Sequence, residues 1–235
     1  GLGGTSPVGP GNSRLHDAEP QDTTEVPVPP TVIQQTRPSQ GGGYSGVDGA
    51  RGSEMLPANF GAMSLIPSAS RAAFPWRVNC KLAMRWVNNS GSSVWYVASG
   101  TMIDAETAVT AGHCVYNRDA AFSANPWAQE VYVYPGWDGG DTLIPASSTM
   151  YPYGWGRGTL FGSWSSYTDS GNFDFDLGVI RLDRAVGALT GWFGWEYGFD
   201  CLANVYNNTS YPAESCGGGL HTGRDMYYGD RKSVV

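Results

Sequence analysis

From Phe74 onward, no stretch of this chain keeps apolar residues at three- and four-residue intervals for long enough to make a helix. They come instead in runs of a few, each stopped by Gly, Pro, Asn or Ser. A chain punctuated in this way folds as short strands joined by turns. The composition agrees, with 33 Gly, nine Trp and only 15% charged residues among 235, where an average soluble chain has about 25% charged. An all-β fold follows. The formal net charge of −7 excludes a basic nucleic-acid binder. No run approaches the roughly 18 consecutive apolar residues of a transmembrane helix, so no membrane partner is expected.

Residues 1–70 differ from the rest. They hold nine of the 15 prolines and only two aromatic residues, Tyr44 and Phe60. Such a segment buries too little apolar surface to offset its ordering entropy. It reads as a disordered tail, or as a propeptide with its maturation site between 51 and 74. Gly1 in place of Met, and an end at Lys232-Ser233-Val234-Val235 with no Gly or Pro to close an element, read as the ends of a fragment.

Beyond that segment, Trp76, Val78, Cys80, Leu82 and Met84 share one parity, and Arg77, Asn79 and Lys81 the other. This predicts a half-buried strand. A turn at 88–92 and a return strand over 94–103 make a hairpin. Further strands are expected at 108–111, 131–134 and 177–182, with residues 136–172 as Gly- and aromatic-rich loops. Trp137-Asp138-Gly139-Gly140-Asp141 lacks the ligand spacing and closing Glu of a calcium loop. Packing of Gly-rich loops accounts for the aromatic residues of 127–164 better than a sugar-binding face does. No cofactor or metal is expected.

The four Cys, at 80, 114, 201 and 216, form no Cys-x-x-Cys pair. An even number in a Lys-poor β chain points to disulfides and an oxidising compartment. Closeness in sequence favours Cys201 with Cys216. Of the three His, His16 lies in the Pro-rich segment and His221 among polar residues, where solvated roles are expected. His113 ends a short apolar strand in Thr110-Ala111-Gly112-His113-Cys114. Small residues before the His let the backbone pack closely and aim the ring into a cleft, as a general base requires.

Thr-Ala-Gly-His-Cys at 110–114 resembles the His motif of trypsin-like serine proteases. Asp176-Leu177-Gly178-Val179-Ile180 resembles that family's catalytic Asp, which directly precedes a short apolar strand. Phe74-Pro75-Trp76-Arg77-Val78 is similar to the opening strand of the mature enzymes. Thr190-Gly191-Trp192-Phe193-Gly194-Trp195 is similar to the inter-barrel segment of secreted bacterial glutamyl endopeptidases. The resemblance implies a double β-barrel. The first barrel would span 74–190, and 191–235 would hold the inter-barrel segment and an incomplete start of the second. It implies a secreted, monomeric serine endopeptidase acting on proteins or peptides, with His113 as the base and Asp176 as its orienting partner. Asp174 competes with Asp176 and is disfavoured because it does not adjoin the apolar run.

Two departures accompany the resemblance. No Gly-x-Ser-Gly follows Asp176, and Ser215, in Glu214-Ser215-Cys216-Gly217, lies too close to Asp176. The nucleophile is therefore expected beyond Val235, and the chain alone is expected to be inactive. An inactive binding module on the same barrel is the alternative. The family also places a Cys partner for Cys114 at the position of Ala98. Here Cys80 is expected opposite Ala98, which implies a Cys80–Cys114 bridge.

Overall fold

The computed structural model of the chain describes residues 64–139, 150–194, 205–212, 215–216, 219–220 and 224–232. A two-residue strand β1, Ser64–Leu65, precedes β2 Asn79–Val87, β3 Ser93–Met102, β4 Thr107–Thr110, β5 Glu130–Pro135, β6 Gly156–Ser163 and β7 Gly178–Leu182. Strands β2 to β7 close a barrel in the order β2-β3-β4-β7-β6-β5. After it come β8 Val205–Ser210, β9 Ser215–Cys216, β10 Gly219–Leu220 and β11 Tyr227–Lys232. β11 lies between β1 and β8 in a three-stranded sheet, and β9 pairs with β10. Helix among the described residues is limited to turns of three or four residues.

The alternation read from the sequence sets the barrel interior. Val78, Cys80, Leu82, Met84 and Trp86 fill it together with Met102, Ala108, Val131, Val133, Ile180 and Leu182. Trp76 does not belong to this strand. It opens a single 3-10 turn, Trp76–Val78, and packs against a second cluster outside the barrel. Nor is β2 half-buried, because residues 79–84 are all buried. Ile66, Tyr134, Trp137, Tyr151, Tyr211 and Met226 cover its outward side. Each large apolar side chain so covered contributes about 1.5–3 kcal/mol relative to exposure.

The hairpin register differs from expectation by two residues. Cys80 pairs with Gly100, and Ala98 lies opposite Leu82. The last ladder pair is Val87 with Ser93, so the loop takes all of Asn88 to Ser92. Asn88 Oδ1 holds it by accepting from the backbone N–H groups of Ser90 and Ser92. A two-residue shift keeps every side chain on its expected side, but it moves Cys80 about 7 Å along the strand from the place expected beside Cys114. A disulfide tolerates no such displacement. The expected bridge is absent, and Cys80 and Cys114 are both buried free thiols. Burial pushes the Cys80 thiol well up from its ordinary pKa. Cys201 lies outside the described residues, and with it the expected Cys201–Cys216 pair.

β6 is a correction of another kind, since it falls within the expected loops of 136–172. Its glycines hide it. A Cβ at Gly156 would lie 2.9 Å from Leu182 Cδ1, and one at Gly158 would lie 2.4 Å from the Phe161 ring. The ladder to β7 shifts register between Gly158 and Leu160, which breaks the two-residue period.

The outward side of β2 also carries a charged group. Lys81 is 1% exposed, and among the described residues its Nζ has no hydrogen-bond partner. The nitrogen lies 5.9 Å from the Trp137 ring centroid and 5.8 Å from that of Tyr211. Burial lowers its pKa to about 7; the Asp225 charge opposes the shift and Arg224 adds to it. The unfolded chain therefore holds this proton to higher pH than the folded one. The resulting penalty is complete below pH 7 and fades as pH rises toward the ordinary lysine value of 10.5. Lys81→Met should stabilise the protein at pH 6, by an amount on the order of several kcal/mol. The gain should shrink by pH 9. Thermal unfolding of both proteins at the two pH values measures it, and a gain independent of pH would contradict this account.

Candidate active site

The β4–β7 ladder builds the site. Its last pair is Thr110 with Gly178. Past Thr110 the chain stays extended through Ala111 and enters a single 3-10 turn, Gly112–Cys114, which carries His113. That turn is tied back by Cys114 N–H to Ala111 O at 3.0 Å and Tyr116 N–H to Gly112 O at 2.8 Å. Ahead of Gly178 another 3-10 turn, Phe173–Phe175, ends at Asp176. Asn172 starts it, its side chain accepting from the Asp174 backbone N–H. Two turns at the ends of paired strands thus bring His113 and Asp176 together.

Asp176 holds His113 at two points. Its Oδ1 accepts from the His113 backbone N–H at 2.7 Å, and its Oδ2 lies 2.7 Å from Nδ1. A carboxylate only accepts, so Nδ1 carries the proton and Nε2 is the basic nitrogen of the neutral ring. The side chain of Asp176 is 15% exposed and that of His113 41%. Asp174 takes no part in this contact and faces solvent.

Close approach of the two turns depends on glycine. A Cβ at Gly112 would sit 2.7 Å from Ser163 Oγ and 3.0 Å from Asp176 Oδ1. One at Gly178 would sit 2.7 Å from Ala111 O. Ser163 donates to Leu177 O at 2.9 Å, which fixes the residue after Asp176. Small residues before His113 were legible as a packing device. Ser163 was not, because its strand was hidden.

Burial works against a charge on His113, but the Cys114 sulfur and the Asp176 carboxylate outweigh it, and the ring's pKa is raised. Burial likewise pushes the Cys114 thiol up, but the adjacent imidazole more than offsets this and the net direction is down.

Solved structures show this architecture. A Glu endopeptidase in complex with MPD matches with a TM-score of 0.52 and 21% identity, over 73% of this chain and 68% of that one. A protease from Arthrobacter nicotinovorans matches at 0.51 and 19%, over 66% and 63%. A thermostable serine protease from an extremophilic microorganism matches at 0.51 and 17%, over 70% and 66%. The chain adopts the trypsin-like serine protease fold. The six strands β2 to β7 form one closed barrel of that double-barrel fold.

Two curated proteins are similar in sequence as well. An extracellular metalloprotease of Bacillus subtilis is 33% identical over 127 residues, 54% of this chain and 35% of that protein. A glutamyl endopeptidase of Bacillus licheniformis is 33% identical over 121 residues, 51% of this chain and 34% of that protein. The chain thus spans about a third of the length of the curated relatives it matches. No family model matches. The first relative's name specifies a metal. Among the described residues no group of three His, Cys, Asp or Glu side chains could hold an ion, so the residues placed here do not fit such a centre.

The raised His113 pKa has a sign that can be checked. The charged ring favours the fold fully below its ordinary value of 6.5, and this contribution is lost as pH rises through the folded value. In Asp176→Asn the ring should titrate at lower pH than in the wild type, as read by NMR of the imidazole Cε1–H. An unchanged midpoint would show that Asp176 does not support the charged ring.

Proposed function

We propose that this chain carries the base and the orienting acid of a serine endopeptidase. His113 takes the proton from a serine hydroxyl through Nε2 and returns it to the leaving amine. Asp176 holds the tautomer that makes Nε2 basic and stabilises the imidazolium that forms. The observation that carries this reading is the two-point hold of Asp176 on His113, ring and backbone together. A solvated acidic turn would have no reason to grip an imidazole in this way.

The nucleophile is assigned to sequence following Val235, and with it the oxyanion hole. Ser215 stands on β9, a two-residue strand, and is not assigned the role. Substrates are proteins or peptides. Preference for Glu rests on likeness to the glutamyl endopeptidase alone. The Pro-rich segment within residues 1–70 serves as a tail or propeptide, 74–190 form the barrel bearing His113 and Asp176, and 191–235 begin the second barrel. The protein works outside the cell as a monomer; among the described residues no helix is long and apolar enough to cross a membrane.

The test uses a fluorophosphonate, which labels an activated serine. The 235-residue chain should neither hydrolyse peptides measurably nor take the label. The product of a longer coding sequence should take it on a serine after residue 235. There Asp176→Asn should lower kcat by about 10⁴-fold and His113→Ala by about 10⁶-fold. Labelling of Ser215 with turnover would move the nucleophile. A longer product that takes no label would favour a binding role for the barrel.

A further inference from the structure

By composition, residues 64–73 belong with the Pro-rich segment before them. Apart from Leu65, Ile66 and Arg71, Ser64-Leu65-Ile66-Pro67-Ser68-Ala69-Ser70-Arg71-Ala72-Ala73 holds only Ser, Ala and Pro. In the fold it behaves as part of the body. β1 pairs with β11, Ser64 against Tyr228 and Leu65 against Tyr227. Ile66 N–H donates to Met226 O at 2.9 Å, and the Ile66 side chain is buried in the cluster outside the barrel. One helical turn, Ser68–Arg71, follows.

Arg71 is the anchor. Only 3% of it is exposed. Its Nε donates to Ile66 O at 3.0 Å, its Nη1 to Asp138 Oδ1 at 2.7 Å and its Nη2 to Asp225 Oδ1 at 3.0 Å. Ser68 Oγ donates to the other oxygen of Asp138. Tyr153 OH donates to Ala72 O at 2.7 Å, and Arg77 N–H to Ala73 O at 3.0 Å. One guanidinium therefore joins the loop after β5 to the residues leading into β11. The planar fork of Arg can serve both carboxylates, whereas a single ammonium cannot match that geometry. Asp225 is also the charge that favours the proton on Lys81, so the anchor adjoins that buried lysine.

We propose that residues 64–73 are a permanent clasp of the mature protein, and that processing of the N-terminal segment stops ahead of Ser64. The Arg71–Ala72 bond then stays intact, although its sequence offers an Arg to trypsin-like enzymes. The clasp stands on its own contacts. The processing boundary rests on the propeptide reading above and not on the catalytic one. Cutting after Arg71 requires its guanidinium to leave both carboxylates and enter another enzyme's pocket, with the helical turn pulled out straight. This narrows the window for maturation from 51–74 to 51–63.

Limited trypsin digestion of the full chain, with products identified by mass, tests the clasp. Cleavage after Arg71 should be about 100-fold slower in the native chain than in the same chain unfolded in urea. In Arg71→Lys the bond after residue 71 should lose at least about tenfold of that protection, while the Arg77–Val78 bond keeps its own. Native and unfolded rates within tenfold of each other at Arg71 would overturn the proposal, as would a Lys variant no less protected. The N-terminus of the protein secreted from its full coding sequence tests the boundary. A first residue from Gly52 to Ser64 is expected, and any other trimmed end overturns it. An untrimmed end overturns the boundary together with the propeptide reading, and the trypsin rates then judge the clasp alone.

Discussion

The barrel closes through one short seam, the four-residue ladder between β4 and β7. Its two strands are distant in sequence, so forming this contact closes a long loop of chain. The seam does more than close a cylinder. Its end at Thr110 and Gly178 is where both turns of the site begin, so the distance between His113 and Asp176 follows from the register. A slip of one residue would turn every side chain of β4 over and separate the pair.

Outside the barrel, β2 supports a second layer. Lys81, Ala83 and Arg85 share the outward parity, a mixture that by itself predicts a solvated face. The layer forms because aromatic side chains from distant segments, Tyr134, Trp137, Tyr151 and Tyr211, arrive over it. Two of them, Trp137 and Tyr211, place their rings beside the Lys81 ammonium, which has no hydrogen-bond partner among the described residues. The structure retains a group that opposes its own burial, and the favourable ion pairs of Arg71 lie at the edge of the same layer.

What the sequence revealed and what it concealed divide along physical lines. The barrel interior was legible because alternation on β2 reports burial directly. His113 and Asp176 were legible because each adjoins an apolar run at a strand end, and the family resemblance singled out that pattern. β6 was concealed because its closest contacts are made by glycines, which carry no hydropathy signal, and because a register shift interrupts its period. The Cys80 pairing was misjudged because loop length, not strand pattern, sets hairpin register. The place of residues 64–73 was concealed because what holds them is specific, an Arg between two Asp distant in sequence, and composition cannot see a partner.

Gly112 and Gly178 share a property with the site they frame. Neither offers a functional group, yet the approach of one turn to the other requires that nothing occupy their Cβ positions. The arrangement of His113 and Asp176 is therefore encoded partly in empty space. Any redesign that grafts this pair onto another barrel has to transplant two vacancies along with two side chains. A comparison of sequences by chemistry alone would rank those positions last, although a Cβ at either would come within 2.7 Å of a neighbouring atom.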